Sequence, residues 1–524
     1  MLFPTMTFAL FFVLVLAGAW RLNDHPRQWR RFVLVASYVF YGWWDWRFVF
    51  LLLACTFGNH LVAVRIHAAA ADRTRRRWMV AGVVLDLGLL GFFKYYGFFV
   101  DSLLALLRPV GLAPTPLLIK VTLPVGISFF TFCAISYVVD VYRREQAPIP
   151  LADFAVYLAF FPHLVAGPIV RVSEFAPQLR RRRNPDAVDA TRAARLICRG
   201  LFKKVVVANY LATQIVDTVF VTPGQYRNWE LLIAAWAYAV QIYADFSGYT
   251  DMAIGIALLL GIRFPDNFDR PYTSLSIQEF WRRWHMTLSR WLRDYLYIPL
   301  GGNRGGEAKE RRNLIATMVL GGLWHGANFT FLFWGLYHGL GLALERVVRE
   351  RPVGTSVLTS LRAVVTRRAP VAPPSVRAGA PAGDVDLGGE SFEVADDPTV
   401  VVDPDLSGAG AVGPDPDRAA SVAARTEQLH HEHVPDASTA LRHDEAATRR
   451  PLHPAIACFG VFQFVTIGWI FFRAPDLGTA FAYLWGLVAH WGVGDLVTLP
   501  VLGVLAIGLF SQFLPRRVGD AIEY

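Results

Sequence analysis

Residues 321–339 read G-G-L-W-H-G-A-N-F-T-F-L-F-W-G-L-Y-H-G. They lie inside an apolar run, 313–345, that is longer than one bilayer crossing needs. An ionisable side chain in such a run is costly, which makes His325 a candidate functional group. Gly321, Gly322 and Gly326 flank it, and glycine permits close backbone approach or a local opening of the helix. The run either crosses once or dips in and returns around W-H-G. Arg346, Arg349, Arg351, Arg362, Arg367 and Arg368 follow it, and by the positive-inside rule they favour a return to the cytoplasmic side. His338, further along the same run among glycines, reads as helix packing.

Outward from this stretch, apolar runs recur at 5–20, 32–45, 48–64, 78–100, 102–107 with 116–141, 151–170, 201–221, 230–264, 454–472, 478–490 and 493–514. Hydrophobic residues make up 54% of the chain and charged residues 18%, so several soluble domains are excluded. The expected fold is all-α: a multi-pass integral membrane protein of about 10–12 transmembrane helices plus re-entrant and interfacial helices, at about 20 residues per span. Residues 1–346 would hold the N-terminal helices and catalytic core, and 454–524 the C-terminal helices of the same core. Between them, 351–450 contain one aromatic residue, Phe392. Such a segment buries too little apolar surface to offset its chain entropy and reads as a disordered acidic loop.

The net charge of +9 is unevenly placed: residues 381–450 carry 15 Asp/Glu against 5 Arg. The excess positive charge falls in short segments such as 21–31 and 65–77, which flank apolar runs. This pattern points to anionic lipid headgroups as partners and away from nucleic acid. It also places those segments in the cytoplasm, with the N-terminus outside and Met1–Trp20 kept as a first span. Cys55, Cys133, Cys198 and Cys458 are too scattered for a disulfide framework or a zinc site, and no metal is expected. The group His430, His431, Glu432 and His433 reads as solvated polar residues. No G-x-S-x-G elbow, P-loop or dinucleotide fingerprint is present, so nothing points to a serine hydrolase, ATPase or dinucleotide enzyme.

A second histidine, His285, sits in F-W-R-R-W-H-M-T-L-S-R-W (280–291). An imidazole that is neutral near pH 7 and can take a proton suits acyl transfer to a hydroxyl. Arg282, Arg283 and Arg290 offer donors for phosphates, and Trp284 a ring for a flat group. With Trp324 and Asn328 they form a candidate donor-binding set. A basic amphipathic helix lying on headgroups accounts for the same residues equally well. In Y-A-D-F-S-G-Y-T-D-M-A-I-G (243–255), Asp245, Ser247, Tyr249 and Asp251 are candidates for lining a polar tunnel. Capping and interhelical hydrogen bonding explain them at least as well. F-P-H-L-V-A-G-P-I-V-R (161–171), with a proline near each end, reads as a broken or re-entrant helix.

At these residues the chain resembles the membrane-bound O-acyltransferase family, in particular its bacterial branch containing the alginate O-acetylation membrane protein. The matching stretches also include S-Y-V-F-Y-G-W-W-D-W-R-F (37–48), F-K-Y-Y-G-F-F (93–99), L-P-V-G-I-S-F-F-T-F (123–132), G-L-F-K-K (200–204) and W-I-F-F-R-A (469–474), all in the family's order. Cys133 and His163 stand where the family's pattern leads one to expect glutamine. The resemblance implies tilted helices around a thin centre crossed by a tunnel. It implies His325 as the catalytic residue and His285 as the second active-site histidine. It implies no cofactor beyond a donor substrate, acetyl-CoA or another acyl thioester. It further implies a plasma or inner membrane location, an extracytoplasmic acetyltransferase as partner and a polysaccharide as acceptor. The same fold serving D-alanyl transfer to teichoic acid, or a transporter or flippase without chemistry, are the alternatives.

Overall fold

The computed structural model describes residues 3–110, 121–181, 188–349 and 453–514, and all regular structure among them is helical. Met1–Arg349 and Pro451–Tyr524 form one compact unit. The segment expected to be disordered, 351–450, lies outside the described residues.

The chain opens with α1 (Met6–Arg21), α2 (Pro26–Gly42), α3 (Arg47–Ala68) and α4 (Asp72–Leu107). Proline suits the first turn of α2, where its missing N–H costs no helical bond. Trp29, Val33, Ala36, Phe40 and Tyr41 then make one buried stripe at helical spacing. The segment 65–77 is not the loop expected. Only residues 69–71 separate α3 from α4, and Arg73, Arg75, Arg76 and Arg77 ride on the first turns of α4, since arginine is a good helix former.

Next come α5 (Ile127–Arg143), α6 (Leu151–Ala159), a single turn at Phe161–Leu164 and α7 (Val172–Arg180). The single turn interrupts 151–170 as the prolines suggested. Gly126, at φ 78°, sits against it: a Cβ there would lie 2.3 Å from the Leu164 carbonyl oxygen. The break in 151–170 therefore lies against the start of α5.

Then follow α8 (Ala190–Val221), which contains two wide π turns, and α9 (Asn228–Leu259). They cross at Gly200 and Gly248, where a Cβ on either would come within 2.8 Å of the other's carbonyl oxygen. The crossing carries an ionic clamp. Asp251 accepts from Arg199 at 2.9 and 3.0 Å and from Lys203 at 2.8 Å, and Lys204 pairs with Asp245. The four candidate tunnel residues all lie in α9. Asp245 and Asp251 join helices, Tyr249 stacks on Phe3 at 4.5 Å, and Ser247 is buried without a hydrogen-bond partner among the described residues. The two lysines of G-L-F-K-K lie inside α8 as part of this clamp.

The short helices α10 (Ile277–Arg283) and α11 (Met286–Leu292) lead to α12 (Glu307–His325) and α13 (Phe329–Arg349). The 313–345 run is therefore a hairpin, not a single span. Gly322 lies against Gly335, and Gly339 against Ile315. Arg346 near the end of α13 pairs with Glu310 near the start of α12 at 2.7 Å. Both helices share one end, and W-H-G is at the other, at the tip. Last come α14 (Pro454–Arg473), α15 (Leu477–Ala489) and α16 (Leu499–Phe510). α14 runs antiparallel to α13, with Gly341 against Phe464 and His338 against Gly468. His338 thus packs on another helix, as its glycine neighbours suggested.

Among the described residues, α3, α4, α8 and α14 are each long and apolar enough to cross a bilayer, and α1, α15 and α16 are apolar but shorter. The other apolar runs do not yield such helices: α9 has a polar middle, 151–170 is broken, and 313–345 folds back.

Candidate active site

The site forms where the tip of the α12–α13 hairpin meets the start of α5, the α10–α11 corner and the end of α14. Trp324 is its centre. Its ring centroid lies 4.8 Å from that of His325 and 6.3 Å from that of His285, so the two histidines named from separate motifs flank one indole. They are also close enough to interact electrostatically. Trp324 stacks on Phe132 at 5.2 Å, and Phe132 stacks on Trp291 at 3.7 Å. The Trp291 indole N–H donates to the Phe132 carbonyl at 3.0 Å, which fixes that wall.

His325 is the last residue of α12, and the extended Gly326 ends the helix. Its half-buried ring meets Trp334 at 5.2 Å and Phe472 at 5.0 Å, both edge-on. Neither ring nitrogen has a hydrogen-bond partner among the described residues. The imidazole is thus held by aromatic edges, with both nitrogens free for a substrate.

His285 is held differently. It is 1% exposed, at the corner between α10 and α11, with φ 43°. A left-handed conformation outside glycine is strained and persists when the surroundings over-determine it. Asn267 does so here. Its Oδ1 accepts from the Thr287 N–H at 3.1 Å and the Thr287 hydroxyl at 2.8 Å, and lies 3.1 Å from His285 Nδ1. The Thr287 N–H is an obligate donor, so the oxygen faces that side. An oxygen only accepts, so His285 carries its proton on Nδ1, and Nε2 is left with a free lone pair and no partner.

The candidate donor-binding residues separate. Trp324 is in the site. Trp284 is buried against Trp469 at 4.9 Å, on the far side of the corner. Arg290 makes a two-pronged pair with Glu174 at 2.6 and 3.0 Å. Arg283 is held by Glu279 at 2.5 Å and by the Thr273 hydroxyl at 2.8 Å. Arg282 is exposed. Asn328 caps α13 through the Thr330 N–H at 3.0 Å and donates to the Pro475 carbonyl at 2.7 Å. Cys133 and His163 lie behind Phe132, lining a small closed cavity with Phe129, Leu158 and Pro168.

Sequence reasoning missed Asn267, Phe472 and Lys94 as parts of this site. Nothing in F-P-D-N-F-D (264–269) marks Asn267. Phe472 was visible only as part of W-I-F-F-R-A. Lys94, a lone cation in the apolar stretch 78–100, carried a signal that intramembrane charge alone supplies.

Fold and site define an integral membrane protein whose paired imidazoles meet at the tip of a membrane hairpin, free of any carboxylate partner among the described residues. The model of the membrane-bound O-acyltransferase family matches residues 117–352. The probable alginate O-acetylase AlgI of Pseudomonas aeruginosa is 45% identical over 368 residues, 70% of this chain and 70% of that protein. Its counterpart in Azotobacter vinelandii is 47% identical over 352 residues, 67% and 69% of the two chains. The peptidoglycan O-acetyltransferase of Helicobacter pylori is 38% identical over 348 residues, 61% and 64% of the two chains. The chain belongs to the membrane-bound O-acyltransferase family and is an integral membrane acyltransferase.

Proposed function

We propose that this protein, in the plasma or inner membrane, takes acetyl groups from a cytoplasmic thioester donor such as acetyl-CoA and delivers them for O-acetylation of an extracytoplasmic polysaccharide of the alginate type. The observation that carries this reading is the meeting of His285 and His325 across Trp324, and the similarity to O-acetylases of two different polysaccharides supports it. His325 is the general base: one of its free nitrogens takes the proton of the acceptor hydroxyl as that oxygen attacks the thioester carbonyl. His285, a fixed acceptor at Nε2, orients the acceptor hydroxyl or the donor by receiving a hydrogen bond. Trp324 forms the floor between them, and exposed Arg282, which has no ion-pair partner among the described residues, offers a charge to an anionic donor. A separate extracytoplasmic acetyltransferase receives the acyl group. No metal or further cofactor takes part.

The test uses purified protein in proteoliposomes with labelled acetyl-CoA outside and the polysaccharide with its secreted acetyltransferase inside. Labelled polysaccharide that depends on the membrane protein supports the reading. Transfer from a D-alanyl carrier protein but not from acetyl-CoA would replace it with D-alanylation of teichoic acid. Movement of donor or polymer without thioester cleavage would replace it with transport.

Asn267 gives a narrower prediction. Asn267→Ala removes the acceptor that fixes the His285 tautomer. A hydrogen bond between neutral groups contributes about 0.5–1.5 kcal/mol, so kcat should fall roughly 2- to 10-fold. Asn267→Asp keeps the acceptor and should retain more activity than the alanine variant. Equal loss in both variants would show that Asn267 supports only the fold of the corner.

A further inference from the structure

Lys94 lies on α4, half-buried, and its ammonium donates to the Trp324 carbonyl oxygen and to the Ser128 hydroxyl at 3.2 Å. It also sits 5.6 Å from the centroid of the Trp324 ring. No carboxylate lies within ion-pair distance of it among the described residues. Its charge is near enough to act on the His325 ring. A lysine has three N–H donors, and two are engaged here, so one remains for a ligand.

Part of this arrangement is structural. The last carbonyls of a helix have no partner within it, and α12 ends at His325. Tyr95, the next residue on α4, donates its hydroxyl to the neighbouring Leu323 carbonyl at 2.5 Å. A neutral hydroxyl therefore suffices to cap this helix end. Lysine at the adjacent position adds a full charge that capping does not need and that is expensive inside a membrane. Its other neighbours do not neutralise it: a serine hydroxyl is uncharged, and an indole face attracts a cation without cancelling it. The partial negative charge at the end of α12 offsets only part of the ammonium's charge, which leaves a cation with a spare donor on the carbonyl preceding His325.

We propose that Lys94 is a further catalytic residue, whose ammonium holds the negative charge that collects on the acyl carbonyl oxygen. The proposal rests on the acyltransferase reading above. As the acceptor O–H bond breaks, its proton goes to His325 and its electron pair forms the new O–C bond. The π pair of the thioester carbonyl moves onto the carbonyl oxygen, and Lys94 faces that oxyanion. On collapse the C=O bond re-forms, the C–S bond breaks, and the leaving thiolate takes the proton from His325. The products are an ester and a free thiol. Fixed donors aimed at developing charge are worth more in a site shielded from water than in solution.

The test measures acyl transfer in proteoliposomes for wild type, Lys94→Gln, Lys94→Arg, Tyr95→Phe and His325→Ala. Glutamine keeps a donor for the Trp324 carbonyl and removes the charge. Lys94→Gln should lose roughly 10²–10³-fold in kcat, as for an oxyanion donor, with KM changed little. Lys94→Arg should recover much of that loss, and Tyr95→Phe should keep most of the wild-type rate. Near-wild-type kcat in Lys94→Gln, or an equal loss in Tyr95→Phe, would overturn the proposal and leave Lys94 as a cap. If Lys94→Gln fails to insert, Lys94→Arg decides: a folded arginine variant without activity overturns the charge role, and one within about tenfold of wild type supports it. Wild-type activity that survives in His325→Ala would instead overturn the acyltransferase reading of the site.

Discussion

His325→Ala is expected to abolish acyl transfer while the protein still inserts and remains monodisperse in detergent. Loss of a positioned general base costs roughly 10²–10⁴-fold in rate. The fold should tolerate the change, because the ring is half-buried and ties no other group by a hydrogen bond among the described residues. Trp334 and Phe472 also pack on Trp469, at 5.9 and 5.3 Å, so their cluster persists without the imidazole. Product formation by His325→Ala is measured against wild type at equal membrane abundance. A wild-type rate would remove His325 from the chemistry.

The second large effect is on stability. Asp251→Ala removes the carboxylate that holds both Arg199 and Lys203. Breaking a buried ionic cluster by removing one partner typically costs 3–5 kcal/mol, because the remaining charges lose their compensation. The cost here should fall near the lower end, about 3 kcal/mol, since the Arg199 side chain is 48% exposed and screened by solvent. The unfolding midpoint in detergent should drop clearly, and activity should fall only as folded protein is lost. A variant with an unchanged midpoint but no activity would instead return Asp251 to the lining of a substrate path.

The sequence made the helical, membrane-embedded class and the two histidines legible. Apolar runs of bilayer length and a W-H-G triplet inside one of them are local signals, and they survive without tertiary information. What was misread depended on partners far along the chain. Asp245 and Asp251 looked like tunnel polarity because their cations lie 41 to 52 residues upstream. Arg290 looked free because Glu174 is 116 residues away. For the 313–345 run, hydropathy alone left span and hairpin open, since it measures lipid compatibility and not direction, and the arginines after the run tipped the reading toward a return. The clearest pointer to a turn was the glycine spacing: Gly322, Gly335 and Gly339 make the close approach between α12 and α13.

That hairpin also bears on how the chain is threaded during synthesis. Because α12 and α13 share an end, and α14 starts back beside the end of α13, the start of α12, the end of α13 and the start of α14 all lie on one side. A connection between the end of α13 and the start of α14 therefore needs no crossing to join them.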